Sequence, residues 1–274
     1  MMRALWTAAA GMTAQQFQVD TISNNMANVD TLGFKQENVS FKSLLYQTIE
    51  QPVNANPISP MQVGHGVRVG SVTRAFDQGI LTTTGDVLDL AIEGEGFFAL
   101  SDPSYSTEDQ EGIIYTRDGS FKLANTQGTG YALVSSNAKP VLSVGGEAIV
   151  FDLDINTTTL SIDKDGIISW TNEAGVIEEL DQLMVVQFPN TPGLEAVGEN
   201  AYIPTGASGE PLLESEDESL IQSKIQSGVL EESNVNIATA MVDLIVAQRA
   251  YEMNSTAIKT ADTMLQQANE LKRV

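Results

Sequence analysis

Apolar side chains recur every seven residues along the first thirty positions of the chain. One column is formed by Leu5, Met12, Val19 and Met26, and a second, three residues behind it, by Ala8, Gln15, Ile22 and Val29. Two apolar positions in every seven are typical of a helix that packs along a narrow seam. The pattern therefore predicts a helix within residues 1–34, interrupted only at Gln15.

The same spacing returns at the C-terminal end. Its first column is Ile237, Leu244, Tyr251, Ile258 and Leu265, and its second is Met241, Gln248, Ser255 and Asp262. Because the second column becomes polar, this predicted helix is apolar along one edge. A single such helix could simply pack on the core of its own domain. Two terminal helices with one period instead favour a coiled-coil-like pair that also contacts other copies of the chain.

Between the ends, the period changes from seven to two. Alternating residues at 67–71 and 88–92 and the run Leu183–Phe188 are typical of strands. Turn signals follow at Asp118-Gly119, Gly145-Gly146 and Asp165-Gly166. Roughly ten short strands punctuated by such pairs predict an antiparallel β domain, since no long helical segments alternate with them.

These patterns predict an α+β fold in four parts. We expect an N-terminal helix at 1–34, an extended connector and loop at 35–74, an acidic β-rich domain at 75–220, and a return linker with the C-terminal helix at 221–274. Residues 46–66 contain three prolines and show no strand or helix period. We therefore expect them to form a loop outside both cores.

Charge is concentrated in the middle of the chain. The net charge is −22, and residues 75–220 hold 26 of the 36 acidic but only 4 of the 14 basic side chains. A phosphate-binding face requires clustered Lys and Arg, so we expect no nucleic acid partner, and anionic membrane surfaces are disfavoured. The N-terminus resembles no secretory signal, and no apolar run is long enough to cross a bilayer, so we expect no membrane insertion.

Catalytic chemistry has few residues on which to build. The chain has no cysteine and one histidine, His65, which excludes Ser-His-Asp, Cys-His and multi-histidine metal sites within one chain. Gly94-Glu95-Gly96 is a poor dinucleotide fingerprint because Phe97-Phe98 continue as a strand. The fragments at 152–159 and 163–166 lack the full ligand spacing of a calcium loop. We therefore predict that the protein is not an enzyme and binds no cofactor or metal ion. A hydrolase whose catalytic groups are two carboxylates is the alternative.

Several polar residues of the helices permit two interpretations. Asn24 and Asn28 are four apart on the predicted helix, where asparagine has poor propensity. Asn25, Asn28 and Gly33 could simply cap and end the helix, or the asparagines could form buried hydrogen bonds that fix the register between neighbouring helices. Likewise, Arg249 and Glu252 could be a surface ion pair or a contact between subunits.

Four blocks of sequence resemble the bacterial flagellar rod and hook proteins, the axial proteins of the flagellum. They are SNNMANVDTLGFK at 23–35, DLAIEGEGFFAL at 89–100, YTRDGSF at 115–121, and GVLEESNVN at 228–236 with QRAYEMNS at 248–255. Within that family, LLYQTIEQP at 44–52, VGHGVR at 63–68 and GLEAVGENAY at 193–202 are most similar to distal rod members. Proximal rod and hook proteins share the terminal blocks, so another axial subunit is the alternative.

The resemblance implies a structural subunit that polymerises into a helical tube and transmits torque to the hook. It implies a location in the periplasmic rod of the basal body, reached through the flagellar export apparatus without a cleaved signal peptide. The implied partners are further copies of the chain, proximal rod proteins, the hook protein and, where they exist, the bushing rings around the rod. A soluble β-rich binding module is a rival that would leave both terminal stripes without a role.

The predicted assembly interface consists of the terminal stripes and the polar residues beside them. Its members are Leu5, Met12, Val19, Ile22, Asn24, Asn25, Met26, Asn28, Ile237, Met241, Leu244, Gln248, Tyr251, Asn254, Ile258 and Leu265.

Overall fold

The computed structural model describes residues 2–50, 61–107, 110–126, 130–151, 160–171, 177–215 and 220–271. It is an α+β fold with a helix at each end and a β-rich region between them. The chain divides into two compact units. Unit 1 contains residues 1–27, 37–75 and 235–274, and unit 2 contains residues 28–36 and 76–234.

Two long helices dominate unit 1. Helix α1 spans Met2–Ala27, helix α2 spans Ile237–Leu271, and the two pack against each other. Helix α2 begins at an asparagine cap, because the Asn236 side-chain oxygen accepts a hydrogen bond from the Thr239 amide at 3.2 Å. The predicted terminal helices are thus both present.

Small side chains line the buried faces of these helices. On α1 they are Ala8, Gly11 and Ala14, and on α2 they are Ala240, Ala247 and Ala261. A Cβ atom added to Gly11 would lie only 3.0 Å from the side chain of Asn254, so glycine is what permits this approach between the helices.

The second column predicted for the C-terminal helix was wrong by one residue. The buried positions are Ala240, Ala247 and Ala261, which lie at intervals of seven and fourteen residues. Of the predicted column, Met241, Gln248 and Asp262 are exposed and Ser255 is half-buried. Alanine contributes little to a hydrophobic pattern, yet it allows two helices to approach closely. The larger side chains next to it therefore misled the assignment.

Two antiparallel strand pairs complete unit 1. Strand β1 (Glu37–Ser43) pairs with β4 (Val67–Arg74), and β2 (Tyr46–Glu50) pairs with β3 (Met61–Gly64). Helix α1 packs on β1 and β4. The expectation that residues 46–66 carry no strand was wrong at both ends of that segment, since Tyr46 and Gly64 are opposed in a ladder. Its middle, 51–60, lies outside the described residues.

Among its described residues, unit 2 consists of β strands and their connections apart from a short 3-10 turn at Thr191–Gly193. Its largest sheet has six strands, with the first three in the order β16 (Glu195–Gly198), β17 (Ala201–Ile203) and β8 (Gln110–Thr116). The order continues with β7 (Phe97–Thr107), β15 (Val185–Gln187) and β18 (Leu212–Leu213). Every pairing in this sheet is antiparallel.

Unit 2 also contains smaller sheets. Their strands are β9 (Lys122–Asn125), β10 (Tyr131–Val134) and β11 (Val150–Phe151) in one, and β12 (Leu160–Ile162), β13 (Ile167–Thr171) and β14 (Ile177–Gln182) in another. Two further pairs join β5 (Leu81–Thr83) to β20 (Val229–Glu231) and β6 (Leu90–Glu93) to β19 (Lys224–Ser227). All of these pairings are antiparallel, as the turn signals predicted.

Strand β7 separates the two hydrophobic clusters of unit 2. Phe98 and Leu100 belong to one cluster, and Phe97 and Ala99 to the other. Because side chains alternate across a strand, burial on both faces explains why the sequence here is a continuous apolar run. Gly96 precedes this run where a Cβ atom would lie 2.4 Å from Val185. Glycine at this position therefore permits the close approach of the chain to Val185.

Candidate assembly surface

Helix α2 has two opposite faces. The face towards α1 carries the buried alanines together with the half-buried Leu244, Ile258 and Leu265. On the other side, four apolar side chains that neighbour one another on the helix surface are at least half exposed: Met241 at 50%, Val242 at 59%, Ile245 at 57% and Val246 at 62%. We call these four residues the α2 outer face.

Further apolar side chains extend this exposure along both helices. Met253 is 67% exposed and Met264 is 50% exposed on α2. On α1, Trp6 is 75% exposed and Phe17 is 41% exposed, and their spacing of eleven residues places them on one side of the helix. Contiguous exposed apolar surface of this kind marks a site of protein association.

The residues predicted for the assembly interface divide by burial. Ile22 and Asn25 are buried within the chain. Half-buried are Leu5, Met12, Val19, Met26, Asn28, Leu244, Asn254, Ile258 and Leu265. Exposed are Asn24, Ile237, Met241, Gln248 and Tyr251. The structure therefore brings the half-buried residues of α2 to the α1 side and leaves Met241 on the α2 outer face.

Asn25 is paired inside its own chain. Its side-chain nitrogen donates to the Glu37 carbonyl at 2.8 Å, and its oxygen accepts from the Glu37 amide at 2.9 Å. The two bonds copy the pairing of one backbone residue with another, and they tie α1 to the start of β1. Asn25 thus belongs to this internal connection and not to an exposed helix surface, as its burial requires.

Asn28 and Gly33 form the turn that follows α1. The Thr31 amide donates to the Asn28 carbonyl at 3.3 Å, and the Thr31 hydroxyl donates to the Asn28 side-chain oxygen at 3.2 Å. Gly33 has a φ of +66°, a conformation that glycine adopts without strain. These contacts match the interpretation in which Asn28 and Gly33 end the helix.

The pair of Arg249 and Glu252 has the geometry of an ordinary surface ion pair. The two side chains are 2.8 Å apart on α2 and are 73% and 62% exposed. A pair this exposed contributes about 0.5 kcal/mol or less to helix stability. His65 is also exposed, and its Nδ1 lies 3.2 Å from the Leu45 carbonyl.

Sequence reasoning missed a buried group of charges in unit 2, which we call the Glu231 cluster: Lys35, Arg117 and Glu231. The Lys35 ammonium lies 2.7 Å and the Arg117 guanidinium 3.4 Å from the Glu231 carboxylate, and all three side chains are at most 1% exposed. Burial lowers the pKa of Lys35 and of Arg117, against the opposing attraction of Glu231. Each member lies in a different one of the quoted sequence blocks, and this shared location is the only sequence feature that pointed to the cluster.

Groups that could hold a metal ion are absent from the part of the chain that the structure describes. Neither α1 nor α2 has the apolar stretch that a bilayer crossing requires. A helix pair with exposed apolar side chains, joined to a β unit, is typical of a structural protein.

Comparison with known proteins identifies the family. Residues 5–35 match the family described as flagella basal body rod protein, residues 91–170 match the flagellar hook protein FlgE/F/G D1 domain, and residues 226–271 match the flagellar basal body rod FlgEFG protein C-terminal region. The chain is 43% identical to the flagellar basal-body rod protein FlgG of Borreliella burgdorferi over 100% of both chains.

Other relatives agree over the whole length. FlgG of Caulobacter vibrioides is 39% identical over 99% of this chain and 100% of its own, and FlgG of Bacillus subtilis is 34% identical over 100% of both. The chain belongs to the flagellar basal-body rod protein FlgG family. A crystal structure of Helicobacter pylori flagellar hook protein FlgE2 matches 64% of this chain and 47% of that one at 16% identity, with a TM-score of 0.24, too low to bear on the fold.

Proposed function

We propose that the chain is a structural subunit of the distal rod, polymerising into a helical tube that transmits torque from the basal body to the hook. The observation that carries this proposal is the α2 outer face. These four side chains are 50–62% exposed, and a neighbouring subunit that covered them would supply about 1–2 kcal/mol of burial free energy for each. The family of the chain supports the same assignment.

In this proposal, α1 and α2 form a coiled-coil-like inner layer and the acidic β unit, within the predicted domain 75–220, forms the outer layer. The half-buried residues that lie on α1 and α2 hold the two helices together, and the exposed ones contact other copies. A contact between unlike surfaces that does not close into a ring propagates as a helix. That geometry suits a tube built from many identical chains.

The partners of this subunit follow from its position in the rod. They are further copies of the chain, the proximal rod proteins on one side, the hook protein on the other, and bushing rings around the tube. The subunit reaches the periplasmic rod through the flagellar export apparatus, without a cleaved signal peptide. Support for these partners comes from the family and from the resemblance of the sequence blocks.

Substitution of Ile245 tests the proposal. Ile245→Asp places a charge at the centre of the α2 outer face, and a charge buried without a partner costs several kcal/mol at each contact. We expect the purified variant to remain folded by circular dichroism but to sediment as a monomer under conditions in which the unchanged chain forms polymers.

A matched control comes from unit 2. Ile177 on β14 is 69% exposed, compared with 57% for Ile245, so Ile177→Asp makes the same chemical change at a similarly open position. It should leave polymerisation unchanged. If Ile245→Asp polymerised as well as Ile177→Asp, the α2 outer face would not be a contact between subunits.

A further inference from the structure

The Glu231 cluster joins parts of the chain that are distant in sequence. Lys35 and Glu231 are 196 residues apart, and Arg117 and Glu231 are 114 residues apart. The Glu231 carboxylate also accepts a hydrogen bond from the Gly79 amide at 2.7 Å. One side chain thus holds three other segments of unit 2, around residues 35, 79 and 117.

Backbone contacts bring the same segments together. The Gly33 amide donates to the Glu231 carbonyl at 2.9 Å, and the Gln36 amide donates to the Asn234 side chain at 2.8 Å. Residues 32–36 follow α1 in the chain, and residues 231–234 precede α2. The two segments that lead to the helices are therefore fixed to each other within unit 2.

The cluster has little capacity to compensate for a missing charge. Both cations are almost fully buried, and Lys35 has one further acceptor, the Asp77 carbonyl at 2.9 Å. Within the described residues, the Arg117 Nε has no hydrogen-bond partner. The Arg117 guanidinium also donates to the Gly94 carbonyl at 2.7 Å, but like the Asp77 carbonyl this acceptor is neutral. Because a buried cation without its anion is strongly unfavourable, loss of the Glu231 charge favours exposure of Lys35 and Arg117.

We propose that Glu231 acts as a clasp that couples the ordering of residues 32–36 to the docking of residues 231–234. Without the Glu231 carboxylate, the segment that contains Lys35 leaves its buried position and becomes exposed to solvent. The core of unit 2 around β10 does not contact Glu231 and remains folded. The device makes these two segments order together, so a chain that lacks residues 231–234 cannot hold residues 32–36 in place. This coupling is a property of the single chain and does not depend on the proposed polymer.

Amide hydrogen exchange of the full-length chain tests the clasp. Glu231→Gln keeps the size of the side chain but removes its charge. We expect the amides of Gly33, Gln36 and Gly79 to exchange about tenfold faster or more in this variant, because local opening exposes hydrogen bonds that depend on the cluster. The Leu133 amide, which donates to the Ile149 carbonyl in the core, should exchange as before.

Glu232→Gln is the matched control. Glu232 is the next residue in the chain and accepts a hydrogen bond from the Thr82 hydroxyl at 2.8 Å, but it does not touch the buried cations. Its substitution should leave Gly33 and Gln36 protected. Unchanged exchange at Gly33 and Gln36 in Glu231→Gln, or an equal acceleration at Leu133, would overturn the clasp.

A second variant separates charge from packing. If the damage in Glu231→Gln comes from a buried cation without an anion, then adding Lys35→Met removes one such cation, and the double variant should exchange more slowly at Gly33 than Glu231→Gln alone. A double variant that exchanges faster than the single one would contradict the proposal.

Should Glu231→Gln unfold unit 2 altogether, Lys35→Met alone provides the test. It should speed exchange at Gly33 and Gln36 but not at Leu133, and any other pattern would contradict the clasp.

Discussion

Burial of the Tyr115 side chain makes the stability of unit 2 depend on pH. It is 2% exposed, and its ring packs edge-on against Phe188 with centroids 4.9 Å apart. Burial raises the pKa of Tyr115 from 10.0 to about 12. In that range the phenol ionises in the unfolded chain but stays neutral in the folded one, so the unfolded state is favoured as the pH rises.

We predict that the free energy of unfolding falls by up to about 3 kcal/mol between pH 10 and 12 through this residue, since one pKa unit corresponds to about 1.4 kcal/mol. The stability that Tyr115 contributes is fully present below pH 10 and is lost as the pH passes through the raised pKa. Tyr115→Phe should make the chemical denaturation midpoint less dependent on pH in this window. An unchanged pH dependence in the variant would contradict the burial of the phenol.

Gly33 combines two separate requirements for glycine. Its φ is positive, and an added Cβ atom would lie 2.8 Å from the Asp118 amide nitrogen and 2.9 Å from the Arg117 carbonyl carbon. Backbone atoms cannot move aside as a flexible side chain can. This close approach holds the end of the turn after α1 against the loop that contains Arg117.

We predict that Gly33→Ala destabilises unit 2 by several kcal/mol, and that Gly146→Ala costs only about 1 kcal/mol. Gly146 has a φ of +80° but open space where a Cβ atom would be added, so the pair isolates the cost of the close approach from the cost of the backbone conformation. Denaturant unfolding of both variants measures the difference. Equal losses would show that the approach at Gly33 is not tight.

The seven-residue patterns predicted both helices correctly, but they predicted the buried positions of α2 less well. In the first seven-residue column, Leu244, Ile258 and Leu265 are half-buried, whereas Ile237 and Tyr251 are exposed. The partner column was assigned one position away, because the alanines that form it carry a weak hydrophobic signal. Burial of a small side chain depends on how closely the backbone of the neighbouring helix approaches it. A single sequence does not specify the distance between the two helices.

Strand order in unit 2 was beyond the reach of sequence patterns for a related reason. Turn pairs such as Gly145-Gly146 identify local hairpins, because two glycines permit a tight turn. The neighbours of β7 in its sheet are β8, which is adjacent in sequence, and β15, which is not. The Glu231 cluster likewise depends on pairing across 196 residues. Such long-range contacts follow from the whole fold and not from any local pattern.

The segment that contains β2 and β3 leads to a prediction about the curvature of the polymer. Leu45 is 89% exposed and Tyr46 is 61% exposed at its base, which leaves apolar surface for neighbouring subunits. By its resemblance to distal rod proteins, we predict that this segment wedges neighbouring subunits and keeps the tube straight. Proline suits a wedge because it restricts the chain before binding.

Deletion of residues 50–62 should therefore leave polymerisation intact but allow the polymers to curve. Electron microscopy of the polymers measures their curvature directly. A replacement of the same residues by an equally long glycine and serine segment is the control for loop length, and it should also curve. Straight, stiff polymers from the deletion variant would identify the segment as a passive linker.

For the whole molecule, the distribution of charge matches the proposed layers. Of the 36 acidic side chains, 26 lie in residues 75–220, and the two chain ends are almost neutral. Near-neutral helices can pack against copies of themselves without strong repulsion, whereas a highly acidic unit favours contact with solvent. The exposed apolar side chains are correspondingly prominent on α2, where Met241, Ile245 and Met253 are all at least half exposed.

Oxidative footprinting of methionine tests most directly the claim that α2 forms the contact between subunits. Met241 and Met253 are 50% and 67% exposed in the single chain, and Met184 is 9% exposed in the core of unit 2, where it serves as an internal reference. We predict that peroxide oxidises Met241 and Met253 readily in the monomer and about tenfold or more slowly in the polymer, because assembly removes them from water. Met184 should react slowly in both. Equal oxidation of Met241 and Met253 in monomer and polymer would contradict the account.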